Sequence, residues 1–361
     1  MPIHEDADYS DANMGDASYV CFDVQYFLKL DSSDPLRDVH DNSGWRNRCT
    51  STGDQGYDLP IPDGFIVHPD GSSPYGETPN NGFAFLKPDS EYMMQGQVLA
   101  RCDPYGPIYY PGWLQPNKVV SVYGDGQNPK GAVGHGASHM NALGGALREG
   151  ELTGPDPIRH ALTLCIYGHK YLYYDESEST PGYRWPAKAA DRYAGNEDNP
   201  AHYAGTNPKF EMGTLLAIPP SVSKSSLKLE TTEAAKLFDA LRDYGAYVVE
   251  DAAWNAHYFC AEEEVILNDM KGKDCFTSGA FFDDVNKLFN ELYLVLNNVP
   301  DSIGGGPTTD HVNRLAPMAC ELGTIGSGKK CDVKPTVRLT APADSAIFES
   351  GHDVIIEATA Q

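Results

Sequence analysis

Short alternating or apolar runs, separated by turn residues, form the main pattern of hydrophobic and polar positions along the chain. Residues 19–30 are rich in aromatic and β-branched residues, which is typical of a strand with one buried face. Residues 83–89 and 94–102 predict the two arms of a hairpin, and 158–174 and 212–220 predict further strands. The pattern therefore predicts a mainly β protein.

Two segments have helical periodicity instead. In residues 231–244, apolar positions recur on one face, Thr231 or Thr232 can cap the start, and Gly245 follows the last turn. Residues 281–292 repeat the pattern with apolar residues at core spacing. We expect a disulfide-stapled, jelly-roll-like β-sandwich over residues 19–333, with these two α-helices at its periphery.

The charge balance excludes some classes of partner. Asp and Glu number 51 against 27 Lys and Arg, which gives a net charge of −24. A chain this acidic repels nucleic acid and anionic membrane surfaces. No hydrophobic run is long enough to span a bilayer.

Residues 1–18 are polar and acidic, so they predict a flexible arm and contain no signal peptide. Their aspartates lack the spacing of a calcium loop. We expect no cofactor, and calcium remains possible, as do copper or zinc at the histidines considered below.

Cysteine usage indicates the compartment. Eight cysteines are spread over the chain without a C-x-x-C pair, which argues against a structural zinc site and favours disulfides formed in an oxidising compartment. The short separations select Cys260 with Cys275, and Cys320 with Cys331, as the first pairings to test. Free buried thiols in a cytosolic enzyme are the competing interpretation.

The stretch from residue 123 to 162 concentrates nine glycines and three histidines. Glycine at this density indicates backbone packed or turned too tightly for side chains. His135 and His139 are four residues apart, but the glycines disfavour the helix that would place them on one face, and no H-E-x-x-H pattern is present. We therefore assign no metal site and retain His135 and His160 as catalytic candidates.

Two enzyme classes fit the remaining polar residues. A polysaccharide lyase needs a cation that neutralises a uronate and a base that removes the adjacent proton. Arg184 suits the first role, and His135, His160, Tyr183 or Tyr123 the second. A glycoside hydrolase needs two carboxyl groups about 5–10 Å apart. Its candidates are Glu149 with Glu151, and Asp251 at the end of the predicted strand 246–251.

Aromatic residues on loops provide a separate signal. Flat aromatic faces stack on sugar rings, and they also cover cores as satellite clusters. The candidates for carbohydrate binding are Tyr109, Tyr110, Trp113, Trp185 and Trp254.

The sequence of residues 334–361 has two alternating strands around a Pro, Asp, Ser and Ala turn. It resembles the opening of a bacterial immunoglobulin-like module of the type appended to secreted proteins. Since an isolated hairpin is marginal in water, docking onto the main domain is the physically preferable arrangement.

A broader resemblance covers about residues 80–315. The succession LGG-x-L-R-x-GEL, I-R-HAL, GYRWPA, MGTLLAIPP and LFDALRDYGAYVVED resembles a group of secreted, mostly uncharacterised bacterial β-sandwich proteins. The resemblance implies an extracellular or cell-surface setting, and the lack of an Asn-x-Ser/Thr sequon favours a bacterial source.

The expected function is that of an extracellular protein acting on a polysaccharide, as a lyase or a glycoside hydrolase. The alternative is a carbohydrate-binding module or a filament subunit that assembles through its terminal strands. Whether the chain is an enzyme is left open.

Overall fold

The computed structural model describes residues 2–42, 48–68, 80–88, 92–111, 119–122, 133–252 and 254–306, together with the backbone of 337–341 and 357–360. Within these ranges no helix has the length and apolar character needed to cross a membrane. Three sequence-based predictions lie outside the described residues: Trp113 as a sugar-binding residue, Tyr123 as a catalytic base, and the Cys320–Cys331 disulfide.

Sixteen strands and four α-helices form in the described residues. The strands are β1 (Tyr9–Asn13), β2 (Tyr19–Lys29), β3 (Leu36–Asn42), β4 (Ser51–Pro60), β5 (Gly82–Leu86), β6 (Tyr92–Gly96), β7 (Ile108–Tyr110), β8 (Val120–Ser121), β9 (Leu162–Ile166), β10 (Leu215–Ala217), β11 (Ala246–Asp251), β12 (Ala256–Glu262), β13 (Cys275–Phe276), β14 (Tyr293–Val295), β15 (Val337–Ala341) and β16 (Glu357–Ala360). The helices are α1 (Gly168–Tyr171), α2 (Lys224–Leu227), α3 (Thr232–Asp243) and α4 (Ala280–Phe289), and a π-helical turn spans Val265–Asp269.

Eleven strands build one mixed sheet in the order β1-β14-β10-β11-β9-β12-β2-β5-β6-β8, with β13 also paired to β2. Strands β9 and β11 run parallel to each other, as do β12, β2 and β5, and the two groups meet at the antiparallel pair β9 and β12. A second sheet has the order β4-β3-β7. The mainly β, disulfide-bonded fold is confirmed. The jelly-roll arrangement is not, because jelly rolls are built from antiparallel strands.

Central strand β2 separates two different environments. Its alternate residues from Val20 to Leu28 join the main hydrophobic core, to which α3 and α4 also contribute. Residues of the other register, from Asp23 to Phe27, face a smaller cluster that includes Leu143 and Ala146. The segment 133–148 therefore covers this second face of the sheet.

Both longer helices, the hairpin of β5 and β6, and the strand at 246–251 form where the sequence pattern predicts them. The N-terminal segment differs from the expected flexible arm. Strand β1 pairs with β14 at the edge of the sheet, and Met14 is fully buried. The hydrophobic pattern did not predict this edge strand because its aspartates are exposed. A strand with one solvent-facing side needs apolar residues on the other side only.

At the other end of the chain, β15 pairs antiparallel with β16. This agrees with the two strands expected in residues 334–361. The terminal strands thus pair within the chain in both cases, β1 with β14 and β15 with β16.

Two disulfides form among the described residues, Cys21–Cys275 and Cys49–Cys102. The expected Cys260–Cys275 pairing is wrong, since Cys275 lies opposite Cys21 in the β13–β2 pair. Cys165 and Cys260 are reduced and buried. Short sequence separation was a poor guide because both bonds join segments brought together by the sheets.

Candidate functional site

A group of carboxyl and phenol side chains collects where β9 and β11 end. Asp251 is the last residue of β11, opposite Ile166 at the end of β9. One oxygen of Asp251 accepts a hydrogen bond from the Gly168 amide at 2.8 Å, and the other accepts one from the Tyr193 hydroxyl at 3.0 Å. A Cβ at residue 168 would lie 2.4 Å from the same carboxylate, so this close approach requires glycine.

Asp191 is the second carboxyl group of the site. It accepts a hydrogen bond from the Tyr203 hydroxyl at 2.7 Å and also interacts with the Tyr193 hydroxyl. Both carboxyl groups therefore lie within hydrogen-bonding reach of one phenolic oxygen.

The two carboxyl groups also share an electrostatic environment. Burial, followed by the charge of Asp191, raises the pKa of Asp251 to about 7. Burial likewise raises the pKa of Asp191, against the hydrogen bonds from Tyr203 and Tyr193. Both residues retain partial solvent exposure. Two nearby carboxyl groups of this kind favour a state in which one is protonated and the other ionised.

Beneath this pair lies Glu250, which is almost completely buried. Both of its oxygens are 3.3 Å from the Ala137 amide, and one is 3.8 Å from Nδ1 of His135. Burial, and then the charges of Asp191 and Asp23, raise its pKa well above the ordinary value. The register shifts between Val248 and Glu250, but Glu250 and Asp251 pair with the consecutive residues Cys165 and Ile166 and therefore point to opposite faces of the sheet.

His135 is fully buried, and burial lowers its pKa to about 4. Its ring nitrogens have no hydrogen-bond partner among the residues that the structure describes. The backbone around it is as tight as the glycine density predicts, since a Cβ on Gly134 would lie 2.0 Å from the Met140 carbonyl oxygen. The neutral ring therefore fills space beside Glu250 more readily than it carries a proton.

The structure brings together only part of the predicted catalytic set. His135 lies 3.8 Å from Glu250, the residue before Asp251, and on the opposite face of the strand from Asp251. His160 lies before the first residue of β9, at the end opposite Asp251, and its Nε2 pairs with Glu151 at 3.1 Å. Arg184 donates to the Lys209 carbonyl and interacts with Glu211. Both side chains therefore have structural partners away from the carboxyl pair.

Other predicted residues have anchoring contacts. Glu151 also accepts from the Arg148 amide at 2.7 Å, and Glu149 contacts Asn268 at 2.5 Å while its amide donates to Glu262. These two glutamates hold the segment after residue 148 and do not form a facing pair with Asp251.

The predicted aromatic platform is divided among separate places. Tyr110 is fully buried, and its hydroxyl contacts that of Tyr57, so it presents no face to a sugar. Tyr109 lies beside His40 on the small sheet. Trp254 packs on Tyr19 with ring centroids 4.3 Å apart. Trp185 is half-buried.

Comparisons were made with protein-family models, curated proteins and solved structures. None of them found a match. The two resemblances noted in the sequence therefore stay predictions, and the site is interpreted from its own geometry.

Asp191, Tyr193 and Tyr203 were missed by the sequence reasoning. They lie in the irregular segment 182–210, in which the sequence analysis selected Arg184 and Trp185 as candidates instead. A weak signal existed, since the segment carries three tyrosines and Asp191 without strand or helix periodicity. Functional residues are common on such loops.

Proposed function

We propose that this protein is an extracellular glycoside hydrolase in which Asp251 and Asp191 act on a glycosidic bond. The observation that carries the proposal is the partly exposed carboxyl pair at one phenol, Tyr193, with the pKa of Asp251 at about 7. A general acid must hold its proton near neutral pH, and its partner must ionise. Asp251 takes the first role and Asp191 the role of nucleophile.

The separation of the pair suggests the stereochemical outcome. Carboxyl groups about 5–5.5 Å apart allow direct attack on the sugar and retention of configuration, whereas inversion requires about 6.5–9.5 Å to admit a water molecule. Because both carboxyl groups interact with the Tyr193 hydroxyl, we take them as close enough for the retaining mechanism.

The lyase alternative has weaker support. A lyase requires a basic phenolate or imidazole, but burial and the charges of Asp191 and Asp251 raise the pKa of Tyr193 far above its ordinary value. Burial also keeps His135 neutral with a pKa of about 4, well below that of an efficient base. The net charge of −24 further disfavours an anionic uronate polymer, so neutral or amino-sugar polysaccharides are the proposed substrates.

An extracellular location is proposed on the two disulfides, which persist in oxidising compartments. The filament alternative receives no specific support from the terminal strands, since β1 and β15 pair within the chain.

The first test measures reducing ends released from a panel of neutral, amino-sugar and uronate polysaccharides. Asp251→Asn and Asp191→Asn are each expected to lower kcat by at least about 100-fold, the scale of general acid–base catalysis. Asp198→Asn, an exposed aspartate in the same loop, serves as the matched control and keeps full activity.

Two additional readouts separate catalysis from structure. Azide added to Asp191→Asn is expected to restore turnover and yield a glycosyl azide, and proton NMR of the first wild-type product is expected to show retained configuration. Release of unsaturated uronate products would replace the hydrolase with a lyase. Full activity of Asp251→Asn would remove its proposed role.

A further inference from the structure

Four neighbouring strands place a row of polar side chains under the segment 133–148. Glu250 of β11 lies opposite Cys165 of β9, and Cys260 of β12 lies opposite Asp23 of β2. Cys165 and Cys260 occupy diagonal positions across the antiparallel pair β9 and β12. Cys165, Cys260 and Asp23 are all at most 3% exposed.

The distances among three of these groups match those around a tetrahedral metal ion. The two sulfurs are 3.9 Å apart, and the Cys165 sulfur is 3.8 Å from Oδ2 of Asp23. All three potential ligand atoms lie within 4.8 Å of one another. Zinc bonds of about 2.3 Å to sulfur and about 2.0 Å to oxygen give tetrahedral edges of roughly 3.8 Å between sulfurs and 3.5 Å between sulfur and oxygen.

A disulfide would need a much larger movement, because bonded sulfurs lie about 2.05 Å apart. The sulfurs would have to approach by nearly 2 Å between strands that the sheet holds in register. For the distance between the two sulfurs and that between the Cys165 sulfur and Oδ2 of Asp23, the zinc geometry needs shifts of only a few tenths of an ångström. The arrangement is therefore better suited to a shared ion than to a bond between the thiols.

Neighbouring groups fix the orientation of Asp23. Its Oδ1 accepts from the Asn80 amide at 3.0 Å, and its Oδ2 accepts from Nδ2 of Asn80 at 3.2 Å and Nε2 of Gln25 at 3.0 Å. Hydrogen bonds from outside the ligand set commonly orient a metal-binding carboxylate in this way.

We propose that Cys165, Cys260 and Asp23 bind a zinc ion at the centre of the sheet. Glu250, whose charge acts on both Cys165 and Asp23, is the further carboxyl group available to complete the coordination. Two thiol protons leave to solvent when the ion binds, so uptake strengthens as pH rises. Since the ligands are buried, the ion enters as the chain folds. This inference does not depend on the proposed glycosidase activity.

The test uses the full chain, produced in zinc-supplemented medium. Elemental analysis is expected to find one zinc per chain, and X-ray absorption at the zinc edge is expected to find two sulfur ligands with oxygen in the remaining positions. Cys165→Ser and Cys260→Ser are expected to retain less than a tenth of the zinc. Asp23→Asn is expected to weaken zinc binding at least tenfold in competition with a chelator.

Asp191→Asn is the control that separates this proposal from the proposed function. It is expected to keep one zinc while losing hydrolysis. A zinc-free chain with two thiols at Cys165 and Cys260 would overturn the proposal, and so would a Cys165–Cys260 disulfide in a non-reducing peptide map. If the serine variants fail to fold, the absorption spectrum of the wild type decides the question.

Discussion

At the scale of single residues, burial shifts histidines and carboxyl groups in opposite directions. It lowers the pKa of His135 to about 4 and that of His257 to about 3. It raises the pKa values of Asp251 and Glu262 to about 7. In both cases burial disfavours the charged form, so the folded chain holds these four groups near neutrality over much of the pH range between 4 and 7.

These shifts have opposite effects on stability. A histidine with a lowered pKa stabilises the fold above its unfolded pKa of 6.5, and this contribution is lost as pH falls towards the folded value. A carboxyl group with a raised pKa stabilises the fold below its unfolded value, and that contribution is lost as pH rises through the folded value.

Asp251→Asn is expected to stabilise the protein at pH 8. There the wild-type carboxylate is charged against its environment, whereas asparagine is neutral and can retain the Gly168 hydrogen bond. The gain in unfolding free energy is at most a few kcal/mol, and it should disappear towards pH 4, where aspartic acid is itself neutral when folded. Urea unfolding at both pH values measures it. A variant that is equally destabilised at both would contradict the assignment.

The sequence offered Asp251 and His135 as candidates, on strand position and on glycine density respectively. It could not identify Asp191, which lies in an irregular loop, or the Asp23–Cys165–Cys260 group, whose contacts depend on strand register across the sheet. A one-residue change of register would direct these side chains to the other face.

At the scale of elements, one aspartate joins the two longer helices. Asp284 of α4 is fully buried and accepts from the amides of Glu230 and Thr231, both at 2.7 Å. It also accepts from the Thr231 hydroxyl at 2.9 Å and from Lys287 at 2.8 Å. Although burial alone would raise the pKa of Asp284, these partners bring it below the ordinary value.

Asp284→Ala is expected to cost about 3–5 kcal/mol of unfolding free energy, since it removes a buried acceptor and leaves its donors unpaired. Asp283→Ala, one residue earlier and exposed, is the control and should change stability little. The cost should diminish as pH falls through the pKa of Asp284. Equal effects of the two variants in chemical denaturation would contradict this role.

Periodicity predicted both helices because each presents an apolar face to the core. It also predicted Thr231 or Thr232 as the N-cap of α3, and the structure has Thr231 there. It could not show that the Thr231 hydroxyl donates to Asp284 and makes no side-chain cap of its own, because α4 lies more than 40 residues further along the chain.

At the scale of the whole molecule, two disulfides connect distant parts of the chain. Cys21 and Cys275 are separated by 254 residues, and Cys49 and Cys102 by 53. By the chain-entropy argument, the longer loop gives the larger stabilisation, by about 1 kcal/mol.

Removing the first bond with the double variant Cys21→Ser, Cys275→Ser is expected to cost about 2–5 kcal/mol of unfolding free energy. The matched variant Cys49→Ser, Cys102→Ser should cost less. Denaturant unfolding compares them, and non-reducing peptide mapping of the wild type verifies the pairings. Recovery of a Cys260–Cys275 peptide would contradict the described connectivity.

Composition and pattern were enough to predict a mainly β chain with disulfides. Strand alternation is visible within a few residues, and the number of cysteines is a property of the whole composition, so neither requires knowledge of the tertiary structure. The order of the strands in the sheet could not be predicted from the sequence. The central strand pairs join segments that are far apart in the sequence, such as β2 and β12, and nothing in the flanking residues indicates which strands pair. Parallel pairs also need long connections between their strands, which the pattern expected of a sandwich does not suggest.

Central strand β2 also constrains how the chain folds during synthesis. Its partner β5 follows within a few dozen residues, but Tyr19 pairs with Ala256, so the other edge of β2 stays open until β12 has emerged from the ribosome. An apolar strand with an open edge is a template for intermolecular pairing. Assembly of the sheet is therefore a late event of high contact order, and nascent β2 needs protection until then.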